Sequence, residues 1–519
     1  MISNIDLAII GIYLVIILII GIWVARTTET GDDLFLAGRS LTWGFIGFSL
    51  FASNISSTTL VGVAGAAYST GISVSNYEWM AGLVLVFMAF FYIPVYIRSR
   101  ITTIPEYLEK RFNAASRQYF SAITIFLSII VDTAGGLYAG AVVLQVFFPD
   151  LVIWQVCVAI AVFAGLYTAA GGLAAVVYTD TIQAIILILG TILISYFVFA
   201  RFDFSWAEAT SQVPAGNLSL IKPMDDPALP WLGTLVGVPI LGFWYWATNQ
   251  YITQRILGAK NVEHARWGAV FGGLLKLLPL FTMALPAAMA VTIFPDLPNP
   301  DQVFPMLVTE VLPVGVIGVV LAGLISAIMS SVDSTLNSAS TLVVNDFILP
   351  RRPDLTGKQV ANYGRITTLV FMVLAVIWAP MIANFGGLFA YLQQAFSILV
   401  PPVAAVFLMG MFWRRGTGRA AFQTLIIGHL VGIVVFYMTL QGVWELHFTI
   451  NVGIMTLLSI ILFVVLSLSQ PPPDPAQVAE YTWSPDQTRP MEGLPLWKDY
   501  RYQSAVVLAL TVIMLIAFW

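Results

Sequence analysis

The sequence predicts an all-α integral membrane protein with about fourteen transmembrane helices, and three observations carry that prediction. Of 519 residues, 59% are hydrophobic and 10% are charged, against about 25% charged in soluble domains. The mean hydropathy is +0.88. Apolar residues gather into runs of roughly the 20 residues that a helix needs to cross a bilayer core. These runs are too long and too little alternating for barrel strands. A chain with so few charges cannot cover a water-facing surface, which sets aside a soluble enzyme, a disordered protein and a nucleic-acid binder with a basic face. The net charge is only −4, and the single cysteine, Cys157, excludes an intrachain disulfide or a cysteine metal cluster. His264, His429 and His447 are not at ligand spacing.

In chain order the runs lie at about 6–26, 41–69, 76–97, 118–146, 151–170, 177–200, 229–250, 267–293, 303–345, 365–383, 388–412, 420–440, 446–468 and 502–519. The first begins Met1-Ile2-Ser3-Asn4 and lacks the positive stretch and small-residue cleavage site of a signal peptide. The largest polar gaps are 201–228 and 470–501. The second opens with Pro471-Pro472-Pro473 and reads as a semi-rigid linker. Neither gap has the apolar periodicity of a soluble domain.

Orientation follows from Lys and Arg, which favour the cytoplasmic side. Of 23 such residues, all but Arg201, Lys222 and Lys276 fall in loops on one side of the fourteen-span arrangement. That side is predicted cytoplasmic, so both termini are predicted extracytoplasmic, in the plasma (cell inner) membrane. A miscount by one helix would scramble this separation partway along the chain.

Two spans look interrupted. In the second, Ala52-Ser53-Asn54-Ile55-Ser56-Ser57-Thr58-Thr59 is polar at all but Ala52 and Ile55. The seventh contains Gly237, Pro239 and Gly242. Irregular backbone at membrane depth is tolerated only around a cavity, and transporters use paired broken helices, one in each inverted repeat, to expose carbonyls to ions and solutes. Spans 2 and 7 sit five apart, which fits a five-helix unit repeated inverted, with one helix before and three after. Small and polar residues also serve plain helix packing, so both readings stand at this point.

Charged groups at membrane depth are costly and mark function. Here they are Glu78, Asp132, Asp180, Lys276 and Asp333; Glu310 and Asp346 lie near span ends. Glu78 and Lys276 occupy the second helix of each proposed repeat and can face each other, either as a structural ion pair or as a hydrogen-bonding cradle for a neutral polar solute. Ala327, Ser330, Ser331 and Ser334 follow i, i+3, i+4, i+7 spacing and share one helix face. That face suits a tight helix contact or, with carbonyls of a broken span 2, a site for a hard cation that prefers oxygen ligands. Asp180 is either solvated near a cytoplasmic helix end or attracts cations on their way out. Asp132 has no evident partner.

Several stretches together resemble the sodium/solute symporter family, in its sodium/glucose cotransporter branch. They are Phe35–Ser40, Asn76–Met80, Ile104–Phe112, Gly165–Gly172 with Thr179 and Asp180, Trp244–Gln250 with Gln254 and Arg255, Leu275–Leu277, and Ser330-Ser331 with Leu336–Leu342, spanning about 33 to 415. The resemblance implies a LeuT-type 5+5 inverted-repeat core and sodium-driven uptake by alternating access. Its expected parts are an extra helix in 1–32, a first repeat in 33–200, an external loop 201–228, a second repeat in 229–412 and peripheral helices in 413–519. It implies a transported sodium ion held by carbonyls of Ala52, Ile55 and Ala327 and hydroxyls of Ser330 and Ser331, with Asp180 influencing binding and release. For a sugar it implies Glu78, Lys276 and Gln393 as hydroxyl partners, Tyr245 closing the inner side, and Asn54 steadying that tyrosine.

Thr59 departs from the Gln or His of sugar carriers, Gly242 from their Asn or Thr, and Ala81 from an occasional Ser. These changes leave the particular sugar open. Asp333 is also unusual; it either tunes the cation site or pairs with another helix. The resulting expectation is a sodium-coupled importer of a neutral hexose-like sugar. The alternatives are another small solute (inositol or another polyol, a sugar acid, an amino acid) or a non-transporting sensor. No organic cofactor, nucleic acid or obligate oligomer is implied; lipid is the surrounding partner. An anionic solute would want Arg at the site, and no Arg falls in a span core.

Overall fold

The computed structural model describes residues 2–385, 388–489 and 493–519, and their side chains except at 383–395 and 440. The chain is helical nearly throughout. Among the described residues the extended pairings are two isolated bridges, Leu41 with Ala259 and Lys222 with Pro230. The main helices are α1 (Asn4–Ala25), α2 (Trp43–Asn54), α3 (Ser57–Thr70), α4 (Asn76–Phe91), α5 (Ala114–Leu127), α6 (Ala134–Phe147), α7 (Ile153–Ala200) and α8 (Trp231–Phe243). They continue as α9 (Gln250–Leu257), α10 (Val262–Leu275), α11 (Val316–Leu342), α12 (Gly357–Trp378), α13 (Leu388–Phe412), α14 (Gly418–Leu440), α15 (Phe448–Leu468) and α16 (Tyr500–Ala517).

By length and apolarity ten helices among the described residues can cross a membrane, or eleven if a bent pair counts as one. The difference from fourteen runs has local causes. Runs 151–170 and 177–200 continue into the 48-residue α7, which turns at Gly172 (φ 57°, ψ −147°). At about 1.5 Å per residue α7 far exceeds one bilayer core. The run 229–250 is divided among shorter segments, and the first part of the run 388–412 has side chains outside the described residues, which leaves Phe396–Phe412, shorter than a span. Only glycine adopts the Gly172 backbone without strain, and a Cβ there would stand 2.1 Å from the Leu34 carbonyl oxygen.

Burial separates lipid-facing from central helices. On α1 the buried residues Ile10, Tyr13, Ile17, Gly21 and Val24 recur at helical spacing, while Ile12, Ile19 and Trp23 face outward. On α11 every side chain from Ser326 to Leu342 is buried, as expected of a helix surrounded by others. Asp6 ties these two helices together. It closes a capping box with Ser3, and its Oδ1 accepts the amides of Gly315 and Gly318, both at 2.8 Å, at the start of α11.

Both interruptions exist, and the structure corrects the position of one. Helices α2 and α3 meet at 63° across extended Ile55 and Ser56. The Ser56 hydroxyl accepts from the Thr59 amide (3.2 Å), and the Ser56 amide donates to the Thr59 hydroxyl (3.4 Å) rather than to the Ala52 carbonyl an unbroken helix would offer. The polar run thus supplies its own helix start. In the seventh span the break is not at Gly237–Gly242. Pro239 lies inside α8; the helix widens over Trp244–Thr248, and the chain is extended at Asn249. The Asn249 side chain then accepts from the Tyr251 amide (3.2 Å) to start α9. Gly237 serves packing instead: a Cβ there would lie 2.0 Å from the Thr449 carbonyl oxygen on α15.

Candidate functional site

The interruptions and their neighbours enclose a cavity of about 310 Å³, lined by residues of α2, α3, α4, α6, α8, α9, α11 and α13 and of the turns beside them. That is the lower end of the roughly 300–1,000 Å³ typical of small-molecule pockets. Glu78 lines it from the first turn of α4, where the helix dipole favours a carboxylate. Lys276 follows α10 directly. Three residues on, Pro279 has no N–H to give the Leu275 carbonyl, so the helix loosens here. The Lys276 ammonium bonds both the Glu78 carboxylate and the Asn54 side-chain oxygen. It is buried behind these two residues rather than exposed on the cavity wall. The structure therefore makes Glu78 and Lys276 an ion pair whose acidic member faces the cavity.

Tyr245 lies in the widened turn after α8, and its hydroxyl accepts from that of Tyr251 at 2.6 Å. Trp246 packs edge-on to Tyr245, with centroids 5.2 Å apart, and Trp244 tilts against Phe396 at 5.0 Å. Thr59 and Gly242 line the cavity, as does Asp132. The side chain of Gln393 lies outside the described residues.

On the far side of the α2–α3 break stands the hydroxyl face of α11. Ser330 is 3.5 Å from the Ser53 hydroxyl, and Ser53 is 2.9 Å from Ser334. Ser331 also lines the cavity, and its hydroxyl donates back to the Ala327 carbonyl at 3.0 Å. Ala52 and Ile55, at the end of α2, are buried.

Asp180 is fully buried, which removes the solvated alternative. Its Oδ2 accepts from Ser49 (2.5 Å) and Ser53 (3.0 Å), and its Oδ1 has no partner among the described residues. Asp333 accepts from the Tyr167 hydroxyl of α7, and from Ser334 at 3.3 Å. Arg255 is a correction: the sequence counted it with the loops, but α9 returns it to the interior, where it is fully buried. It donates to the carbonyls of Ser49 (3.0 Å) and Tyr251 (2.7 Å) and to Ser334 (3.1 Å). It does not line the cavity.

Sequence reasoning did not single out Ser49, Ser53, Tyr167 or Arg255 as members of this network. Serines every fourth position before the break, at 49 and 53, were the available signal. Asp346, set aside as near a span end, is buried and accepts from Thr103 (2.7 Å), Ser121 and Arg117 (2.6 Å). Arg111, also counted as a loop residue, is buried. It donates to the carbonyls of Gly410 and Trp413 (both 2.9 Å) and Gly416 (3.2 Å), closing the end of α13.

The model of the sodium:solute symporter family matches residues 34–428. Among similar proteins, sodium/glucose cotransporter 1 of Oryctolagus cuniculus is 34% identical, covering 92% of this chain and 81% of its own. Sodium/glucose cotransporter 4 of Danio rerio is 33% identical, covering 92% and 80%. Sodium/myo-inositol cotransporter 2 of Homo sapiens is 34% identical, covering 92% and 78%. Among solved structures, a substrate-bound, outward-open Na+-coupled sialic acid symporter superposes with a TM-score of 0.80 at 22% identity, covering 91% of this chain and 99% of the other. A nucleobase-cation-symport-1 family transporter in a closed conformation gives 0.57 at 15% identity, covering 88% and 98%. Both likenesses concern the fold, which is of the LeuT-like transporter kind.

Proposed function

Since the chain belongs to the sodium:solute symporter family, we propose that it couples sodium entry to import of a neutral polyhydroxylated solute, a hexose or an inositol-like polyol. The observation that carries this reading is the group formed by Glu78, Lys276 and Asn54 at the cavity. It offers acceptors and a donor to hydroxyl groups. Aromatic rings at Tyr245 and Trp244 give apolar cover for a sugar face, and no arginine is among the described lining residues to attract an acid. The names of the similar proteins include both glucose and myo-inositol carriers, so both solute types belong to the proposal.

In this reading sodium binds first, between the carbonyls of Ala52, Ile55 and Ala327 and the hydroxyls of Ser330 and Ser331. The Ser331 hydroxyl turns from its own helix to the ion. The solute then enters against Glu78, Lys276, Gln393 and Thr59. The outer path closes, Tyr245 and Asn54 part, and both passengers leave inward. Asp180 and Asp333 govern sodium release. One sodium ion crossing about 100 mV supplies roughly 2.3 kcal/mol, and a tenfold gradient adds about 1.4 kcal/mol. One-to-one coupling then sustains roughly 500-fold accumulation.

The same reading holds that fourteen helices form a 5+5 inverted-repeat core, with 33–200 and 229–412 as the repeats and both termini outside the plasma membrane. It is supported by the two interrupted spans, each followed by a helix bearing one member of the Glu78–Lys276 pair. Uptake into proteoliposomes under an inward sodium gradient, screened over hexoses, inositols, sugar acids and amino acids, tests it. A neutral sugar or polyol should accumulate only with sodium. Uptake indifferent to sodium, or confined to acids, refutes it.

A further inference from the structure

Of Glu78, Asp132, Asp180, Asp333 and Asp346, all set among the helices, four have partners. Glu78 has Lys276, Asp180 has Ser49 and Ser53, Asp333 has Tyr167 and Ser334, and Asp346 has Arg117. Asp132 has neither a hydrogen bond nor an ion pair among the described residues, yet it is one of the residues that line the central cavity. An unanswered carboxylate at this depth is costly. Neither buried cation of the surrounding helices pairs with it: Arg255 bonds Ser49, Tyr251 and Ser334, and Lys276 bonds Glu78 and Asn54.

The backbone is shaped to present this residue. Between α5 and α6 the helix widens to a π turn over Ser128–Thr133, a feature that changes the facing of the residues around it and recurs at functional sites. Thr133 pins the turn, donating to the Ser128 carbonyl at 2.6 Å and lying 2.7 Å from the Thr335 hydroxyl on α11. Thr335 and Ser331 line the same cavity. Beside Asp132 the wall is left open by Gly135 and Gly136, and a Cβ at Gly136 would meet nothing within 4 Å.

We propose that Asp132 is a solute-recognising residue whose missing partner is the solute itself. A carboxylate only accepts hydrogen bonds, through two oxygens. It therefore takes two adjacent hydroxyls of a hexose or polyol. Its charge rejects a carboxylate on that side of the solute and welcomes an ammonium. This rests on the solute class proposed above, and it makes the negative cavity wall the device that separates neutral sugars from sugar acids.

The test compares wild type and Asp132→Asn in proteoliposomes under a sodium gradient, using the best-transported hexose or inositol. KM for the solute should rise about ten- to a hundredfold, the loss of a charge-assisted bond, while the sodium concentration for half-maximal uptake changes by less than about twofold. In a set of positional aminohexoses at least one should inhibit wild type more strongly than the parent hexose and lose that advantage in the variant. Hexuronates should inhibit the variant only. Equal KM values, or stronger inhibition of wild type by hexuronate than by every aminohexose, overturn the inference. If Asp132→Asn does not fold, the inhibitor series on wild type decides. A wild type that transports acids but neither hexose nor polyol refutes the parent reading, and this inference with it.

Discussion

Replacing Lys276 by methionine removes one member of a buried ion pair and leaves the other. Lys276 is 1% exposed and Glu78 is 7% exposed, so the remaining carboxylate has little water around it. Breaking such a pair costs about 3–5 kcal/mol, whereas replacing both members by apolar groups of similar volume is often neutral or stabilising. Glu78 borders the cavity and water can enter there, so the lower end, about 3 kcal/mol, applies. Lys276→Met should therefore unfold at distinctly lower temperature or denaturant concentration than wild type in detergent. Glu78→Met combined with Lys276→Met should recover most of that loss, and both proteins should be inactive in solute uptake. The recovery is the informative quantity, because it measures coupling between two side chains in contact. A Lys276→Met variant as stable as wild type, or a double variant whose loss is the sum of those of Lys276→Met and Glu78→Met made singly, would refute the pairing.

Other substitutions probe other parts of the molecule. Ser331→Ala should raise the half-saturating sodium concentration for uptake roughly tenfold, about 1.4 kcal/mol, with little change in unfolding, since the hydroxyl bonds only within its own helix; unchanged sodium dependence would exclude Ser331 as a ligand. Asp333→Leu leaves the buried Tyr167 hydroxyl without its acceptor and should cost about 1–3 kcal/mol, while Asp333→Asn, which keeps an acceptor, should cost less; thermal unfolding of the two variants decides. Gly172→Ala should fail to give folded protein, given its backbone and the Leu34 carbonyl at 2.1 Å, whereas Gly11→Ala, with nothing within 4 Å, should match wild type in size-exclusion profile and midpoint.

What the sequence revealed and what it hid follow from range. The α2–α3 break was legible because Ser56 and Thr59 cap one another three residues apart, and such local chemistry is written in order along the chain. The second break was misplaced by about ten residues. Gly237 and Pro239 look like a break in isolation, but Gly237 answers to α15, more than two hundred residues away, and Pro239 is accommodated within α8. The shared face of Ala327, Ser330 and Ser331 was readable from helical spacing. The enclosure of Arg255 was not, because it depends on α9 folding back after Asn249. Asp132 looked partnerless in the sequence, and it remains so among the described residues.

Asp6 ties the first helix to the helix that carries the proposed sodium ligands. The Asp6 carboxylate grips the leading amides of α11, and that same helix carries Ala327, Ser330 and Ser331 further along. A tag, truncation or fusion that disturbs the opening residues therefore pulls on a lever whose other arm is the hydroxyl face some turns away. Engineering of this chain is safer when a purification handle is attached beyond α16, leaving the grip on α11 undisturbed.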